Sequence, residues 1–121
     1  MKILIETIPT ADQRYATLGD YWWEGTDLHI RVSEMDDWRE QVLIAVHELV
    51  EATLCEDRGI SEPDIMAFDI SVPECSDPGA HPDAPYRKEH FFAENLERLL
   101  AAEFGIRWQD YEARCEEEFP A

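Results

Sequence analysis

The apolar and polar residues of two stretches near the start of the chain are arranged as is typical of β-strands. Residues 2–8 (KILIETI) are rich in β-branched residues and are typical of a short strand. Residues 19–32 (GDYWWEGTDLHIRV) predict a hairpin with its turn at residues 25–27. Every other residue of the second hairpin strand is apolar, so one face of this strand should be buried. These apolar residues are Leu28, Ile30 and Val32.

After residue 32 the apolar residues recur with the period of a helix. Ser33, with Asp36 three residues later as in a capping box, predicts the start of a long helix over residues 34–57. Gly59 predicts its end. Further helical patterns cover residues 61–68, 86–104 and 108–119.

The order of these elements predicts an α+β fold. Four prolines and a glycine make residues 71–85 an extended loop within the helical part. We expect one domain over residues 1–121, with a β region at 1–32 and a helical region at 33–121. Its small antiparallel sheet, the N-terminal strand plus the hairpin, should pack against three or four helices.

Composition narrows the classes of partner. The 121 residues include 28 Asp and Glu against 10 Lys and Arg, a formal net charge of −18. Binding of nucleic acid or of an anionic membrane surface needs a basic patch, so direct binding to either is not expected. The acidity instead favours a bound cation, a basic protein partner, or solubility alone.

Cysteine usage and the first residues indicate a cytoplasmic protein. Cys55, Cys75 and Cys115 lie far apart and form no C-x-x-C motif, which is typical of reduced thiols. The apolar start of the chain is interrupted at Glu6 and Pro9, unlike a signal peptide, and no later run approaches transmembrane length. The oligomeric state stays open.

The candidate chemistry begins in the segment AVHELVEATL, where three ionisable residues interrupt an apolar run. His47 and Glu51 lie one helical turn apart at the edge of the apolar arc, so an imidazole nitrogen and a carboxylate oxygen can reach one cation. Glu48 is turned about 100° from His47, further into the polar arc. The corresponding glutamate of H-E-x-x-H zinc peptidases is the general base.

A second segment, HFFAE, repeats the spacing with His90 and Glu94, and Glu97 lies on the same face. If the two helices pack antiparallel over the sheet, two histidines and two carboxylates can meet at one site. Glu89 is a competing ligand, because it points nearer the centre of the apolar arc. A buried carboxylate there needs a metal, a histidine or an arginine beside it.

A structural interpretation stands beside the metal site. A single His–Glu pair at this spacing is common on helices and adds only a few tenths of a kcal/mol. Two such pairs, on the two longest helices, favour a shared metal site. His81 of the proline-rich loop could be a further ligand, although loop histidines are commonly just exposed. His29 is expected to be a solvated residue of the outer sheet face.

Several segments together resemble small phage and prophage proteins that have no established activity. They are YATLGDYWW, AVHELVEATLCEDRGI, the pair Phe68-Asp69 and PYRKEHFFAENLERLLAAEFGIRW. The resemblance extends over the chain as a whole, and it implies a phage-type protein acting in the cytoplasm of a bacterial host.

A more distant resemblance is to minimal zincin-type metallopeptidases, in which a small sheet precedes an H-E-x-x-H helix and a later helix supplies a third ligand. It implies ligand roles for His47 and Glu51, the base role for Glu48, and a third-ligand role for His90 or Glu89. Here Glu51 replaces the second histidine. This harder, anionic ligand shifts the expected cation from zinc towards iron, manganese or magnesium.

Two functional hypotheses follow. In the first, the protein binds a divalent metal and acts as a hydrolase on an unknown substrate, with Glu48 as the base beside His47, Glu51 and His90. In the second, it is a non-enzymatic acidic phage protein that binds a basic host protein as a nucleic-acid mimic.

Overall fold

Three strands and four α-helices make up the computed structural model, which describes residues 1–75 and 77–119. The predicted α+β fold, a small sheet against helices, is confirmed. The strands are β1 (Ile3–Ile8), β2 (Gly19–Glu24) and β3 (Asp27–Ser33). The helices are α1 (Trp38–Asp57), α2 (Glu62–Ser71), α3 (Arg87–Glu103) and α4 (Trp108–Glu118), with short 3₁₀ turns at Thr10–Asp12 and Pro78–Ala80.

The sheet is mixed, not wholly antiparallel as predicted. β2 and β3 form the expected antiparallel hairpin, but β1 pairs with β3 and runs parallel to it. Ile8 lies beside Ser33 and Gly19 beside Val32, so the connecting residues 9–18 only cross the end of β3. The β-branched composition of β1 carries no information on which hairpin strand it joins, and only pairing with β2 would have made the sheet antiparallel.

The long helix α1 begins later than predicted. Ser33 is the last residue of β3, and its N–H donates to the carbonyl of Leu18. The helix is capped instead by Asp37, whose side chain accepts a hydrogen bond from the N–H of Arg39. Its end agrees with the prediction, since Gly59 adopts a left-handed φ of 70°.

The core lies between the hairpin and α1. Leu28, Ile30 and Val32 are at most 1% exposed, as their alternation predicts, and Leu43 of α1 is fully buried in the same cluster. Helix α1 packs on β2 and β3, and α3 packs along α1. No helix in the described ranges is both long and apolar enough to cross a bilayer.

Helices α1 and α3 are antiparallel, as the shared-site prediction requires. Three contacts follow one another in opposite directions along the two helices: Arg58 with Glu89, His47 with Glu97, and Arg39 with the carbonyl of Phe104. The two histidine-bearing faces therefore meet along this seam, where α1 packs on β2 and β3 and α3 packs on α1.

Candidate metal centre

Three ligand atoms converge where α1 faces α3. His47 Nε2 and Glu51 Oε2, one turn apart on α1, are separated by 2.9 Å. His90 Nδ1, from the first turn of α3, lies 2.9 Å from Glu51 Oε2 and 3.2 Å from His47 Nε2. All three side chains are buried, with 6–8% of each residue exposed. Such a group of two imidazoles and one carboxylate can hold a metal ion.

A second carboxylate orients His47. Glu97 Oε1 lies 2.5 Å from His47 Nδ1, and Glu97 Oε2 accepts a 2.6 Å hydrogen bond from the hydroxyl of Tyr111. When His47 is neutral, donation of its Nδ1–H to Glu97 leaves the Nε2 lone pair directed at the other two ligand atoms. Metal-binding histidines are held by outer carboxylates in this way.

Loop residues hold His90. Asp77 Oδ1 lies 3.0 Å from His90 Nε2, but off the direction of an Nε2–H bond, so this contact is an ion pair without an aligned hydrogen bond. Gly79 packs directly on the imidazole: a Cβ at this position would lie 2.4 Å from its Cγ and Nδ1 atoms. Any side chain at position 79 would therefore displace a candidate ligand.

Glu48, the predicted base, stands at the wall of a cavity of about 590 Å³ that the three candidate ligands also line. Its carboxylate fits closely against β2, where a Cβ on Gly19 would lie 2.5 Å from Glu48 Oε1. Glycine at position 19 thus leaves room for the carboxylate. A molecule in the cavity could reach both Glu48 and the ligand atoms.

Burial and close contacts shift the pKa values of the three candidate ligands and of Glu48. Burial opposes a charged imidazole, but contacts with Glu51 and Glu97 raise the pKa of His47 well above its usual value. Burial likewise opposes charge on His90, whereas Asp77 and Glu51 raise its pKa to about 9. Burial disfavours the ionised Glu51 as well, but hydrogen bonds with the two histidines lower its pKa to about 2. Burial and the charge of Glu51 raise the pKa of Glu48 to about 8.

The other predicted ligands lie elsewhere. Glu89 is buried as expected, but its partner is Arg58, at 2.6 Å. Glu94 lies 3.7 Å from Arg98 on its own helix. His81 Nδ1 accepts a hydrogen bond from the N–H of Asp83. None of these three predicted residues belongs to the group of convergent ligand atoms.

His29, expected to be a solvated outer-face residue, has 19% of its side chain exposed and stacks on Trp22 at 5.2 Å between ring centroids. It faces away from the core, because its neighbours Leu28 and Ile30 are the buried residues of β3. It has no role in the candidate site.

Sequence reasoning placed Glu97 on the correct helix face but assigned it no role, and it missed four supporting residues. These are Gly19, Asp77, Gly79 and Tyr111. Gly79 has a local signal, since it stands two residues before His81 in the proline-rich loop, whereas Gly19 lies near no candidate residue in the sequence. Asp77 and Tyr111 have none, because their contacts depend on how the loop and α4 meet α3.

Comparison with known proteins gives no relative whose function could be considered for this site. No protein-family model, curated protein or solved structure matches this chain. The resemblances to small phage proteins and to minimal zincins stay predictions from the sequence motifs. The convergence of His47, Glu51 and His90 stands independently of them, because it follows from the packing of α1 on α3.

We expect the free energy of unfolding of the metal-free protein to fall as pH rises from about 6.5 to about 9. A histidine with a folded-state pKa raised to about 9 from 6.5 stabilises the fold below 6.5, and this contribution is lost as the pH passes 9. The raised pKa values of His47 and Glu48 act in the same direction. Urea unfolding in the presence of a chelator measures the slope.

The control compares His90→Gln with His29→Gln, which removes a histidine outside the site. The His90→Gln protein should show a clearly shallower pH dependence between 6.5 and 9, whereas the His29→Gln protein should follow the wild type. Equal slopes in the wild type and the His90→Gln protein would contradict the assignment of the titration to this cluster.

Proposed function

We propose that this protein binds a divalent cation through His47, Glu51 and His90 and that it is a metal-dependent hydrolase. The observation that carries the proposal is the triangle of ligand atoms, with edges of 2.9, 2.9 and 3.2 Å. Donor atoms about 2.05 Å from a tetrahedral metal are separated by about 3.3 Å. The three atoms are therefore near the spacing that a small divalent cation requires.

The chemistry of the donors supports the same conclusion. Three lone pairs directed at one point repel one another unless a proton or a cation lies between them. In the metal-free protein, protons on the imidazoles lie between these lone pairs. The pKa values of both histidines are raised for this reason. Two imidazoles with one carboxylate suit zinc, and the carboxylate also accommodates iron or manganese, with magnesium the least suited to imidazole nitrogen.

The cavity gives the site access to a substrate. A bound divalent cation would supply Lewis acidity and lower the pKa of a water molecule. With its carboxyl ionised, Glu48 would accept a proton from that water, because it lines the same cavity as the ligand atoms. Glu97 and Tyr111 hold His47 in the tautomer that leaves Nε2 free. On the basis of the sequence segments that resemble small phage and prophage proteins, we also propose that this is a phage-type protein that acts in the host cytoplasm.

The first test is metal binding. We expect the wild type, freed of metal and titrated with Zn²⁺ or Mn²⁺ in a calorimeter, to bind a single cation. Loss of a ligand in His90→Gln should lower the affinity by more than the 10–100-fold that is roughly typical of outer-shell partners. Glu94→Gln, on the same helix but outside the group, is the matched control and should bind as the wild type does.

If the metal-free wild type bound no cation in this titration, the proposal would be refuted. An unchanged affinity in the His90→Gln protein would also refute it. The affinity of the wild type should also rise between pH 6 and pH 9, because the cation must displace protons from both histidines. This pH dependence is opposite in sign to that of the stability of the metal-free protein.

The second test separates catalysis from binding. In Glu48→Gln the cation should still bind, whereas the rate of hydrolysis should fall by about 10²–10⁴-fold, the usual contribution of a general base. The assay compares wild type, Glu48→Gln and Glu94→Gln on peptide, amide, ester and phosphoester substrates after loading with metal. Equal rates for wild type and Glu48→Gln would remove the base role from Glu48. No turnover by the loaded wild type would leave a metal-binding protein without hydrolase activity.

The charge of −18 favours a second candidate function, an acidic protein that occupies the nucleic-acid site of a basic host protein. The carboxylates of α4 support it. Glu112, Glu116, Glu117 and Glu118 are all exposed, and no ion pair of the described residues includes them. Their charges are therefore available to a basic partner.

For this candidate we expect the immobilised protein to retain a DNA-binding protein from a bacterial lysate at about 0.05 M salt and to release it at about 0.5 M, where charges are screened beyond a few Å. Duplex DNA should also release the retained protein, since the DNA and the immobilised protein would compete for the same nucleic-acid site. Retention should weaken when Glu112 and Glu116 are both replaced by glutamine. A retained protein that DNA does not displace would contradict mimicry.

A further inference from the structure

Strand β1 forms one edge of the sheet and is exposed along most of its length. Within residues 1–75 and 77–119 it pairs only with β3. Its apolar residues Ile3, Leu4 and Ile5 each keep between 42% and 48% of their surface exposed, because α1 packs on β2 and β3. An exposed apolar edge is a template for another strand.

The backbone of β1 is oriented to accept such a strand. Lys2 and Ile8 direct their carbonyls at β3, where they accept hydrogen bonds of 2.9 Å from Leu28 and 2.8 Å from Glu34. Since successive residues of a strand point their N–H and C=O groups to opposite sides, Ile3, Ile5 and Thr7 direct theirs at the free edge. These three residues can therefore exchange hydrogen bonds with an added antiparallel strand.

We propose that the added strand is β1 of a second copy of this chain. The two strands would run antiparallel about a two-fold axis at Leu4, which faces the partner's Leu4. In this register Ile3 and Ile5 exchange hydrogen bonds with the partner's Ile5 and the partner's Ile3. Lys2 faces the partner's Glu6, and Glu6 faces the partner's Lys2. The two three-stranded sheets become one sheet of six strands.

The charged residues select this register. The segment Lys2-Ile3-Leu4-Ile5-Glu6 is self-complementary when reversed, with opposite charges at its two ends and apolar residues between them. A shift of two residues one way places Leu4 against the partner's Glu6, and a shift the other way places Lys2 against the partner's Leu4. Both shifts lose the cross-strand ion pairs and the apolar match, so the symmetric register is preferred.

The side chains support the same arrangement. Ile3 and Ile5 lie on the sheet face of their neighbours Leu28 and Ile30, which α1 covers, but they extend beyond that helix. In the dimer four isoleucines, two from each copy, would meet on this face. Leu4 of both copies would meet on the opposite face at the axis. Side chains on both faces of the edge strand thereby gain apolar neighbours from the partner copy.

The net charge opposes association. Each copy carries −18, and this repulsion acts over long distances and is screened by salt. The contact between two six-residue strands is also smaller than a standard interface. We therefore expect a reversible dimer that forms at micromolar concentrations, on the order of the affinity of small interfaces, and that strengthens as the salt concentration rises.

The test is sedimentation velocity of the full chain between about 5 and 200 µM, a range that brackets micromolar dissociation constants. The wild type should shift from monomer to dimer as its concentration increases. Lys2→Glu and Glu6→Lys each place like charges at both cross-strand pairs, and each should raise the dissociation constant about tenfold or more. An equimolar mixture of these two variants should dimerise again, because both pairs then carry opposite charges.

Glu24→Lys is the matched control, since it makes the same charge change at an exposed position of β2 and should leave the dimer intact. Circular dichroism of each variant checks that the fold is retained. A wild type that stays monomeric over the whole range would overturn the proposal, and so would a dimer that survives both single variants. A mixture that remains monomeric would overturn the proposed register.

Discussion

Four ionisable side chains are buried together at the centre of the seam between α1 and α3, and the rest of the site depends on how their charges are balanced. His47, Glu51, His90 and Glu97 are each at most 8% exposed. A charge removed from water is costly unless hydrogen bonds and an opposite charge compensate it. Here each carboxylate contacts at least one imidazole, so the two helices can pack only if the histidines and glutamates stay together.

Elsewhere the fold balances its buried carboxylates differently. Asp20 pairs with Arg14, Glu40 with Arg114 and Glu89 with Arg58, and each carboxylate is buried while its arginine is about 40% exposed. Arginine keeps its charge at every physiological pH, so these pairs are permanent. Among residues 1–75 and 77–119, no arginine forms an ion pair with the central group. Its histidines can give up their protons. This property would let a cation replace those protons in the central group.

The cavity and the free sheet edge lie on opposite sides of β3. Residues of β2, among them Gly19 and Tyr21, line the cavity, whereas β1 forms the other edge of the sheet. Pairing through β1 would leave both cavities accessible. The proposed metal binding and the proposed dimerisation therefore depend on separate parts of the chain, and a change at Lys2 or Glu6 should not alter the site.

Much of this protein follows from local patterns. The period of the apolar residues determined the strands, the hairpin and the helices, and it placed His47 with Glu51 on one helix edge and His90 on another. These features need only neighbouring residues, because a helix or strand presents its side chains at a regular spacing. The left-handed Gly59 marks the end of α1 as predicted, and a second left-handed glycine, Gly105, follows the end of α3.

The tertiary structure decided which of these residues meet. Pairing with β3 made β1 parallel and kept Ser33 in a strand, so that Asp37 and not Ser33 caps α1. The antiparallel seam assigned Glu97 to His47 and Glu89 to Arg58, a choice that depends on the relative shift of two helices along each other. Such shifts are set by packing between distant segments, and the spacing within either segment does not contain them.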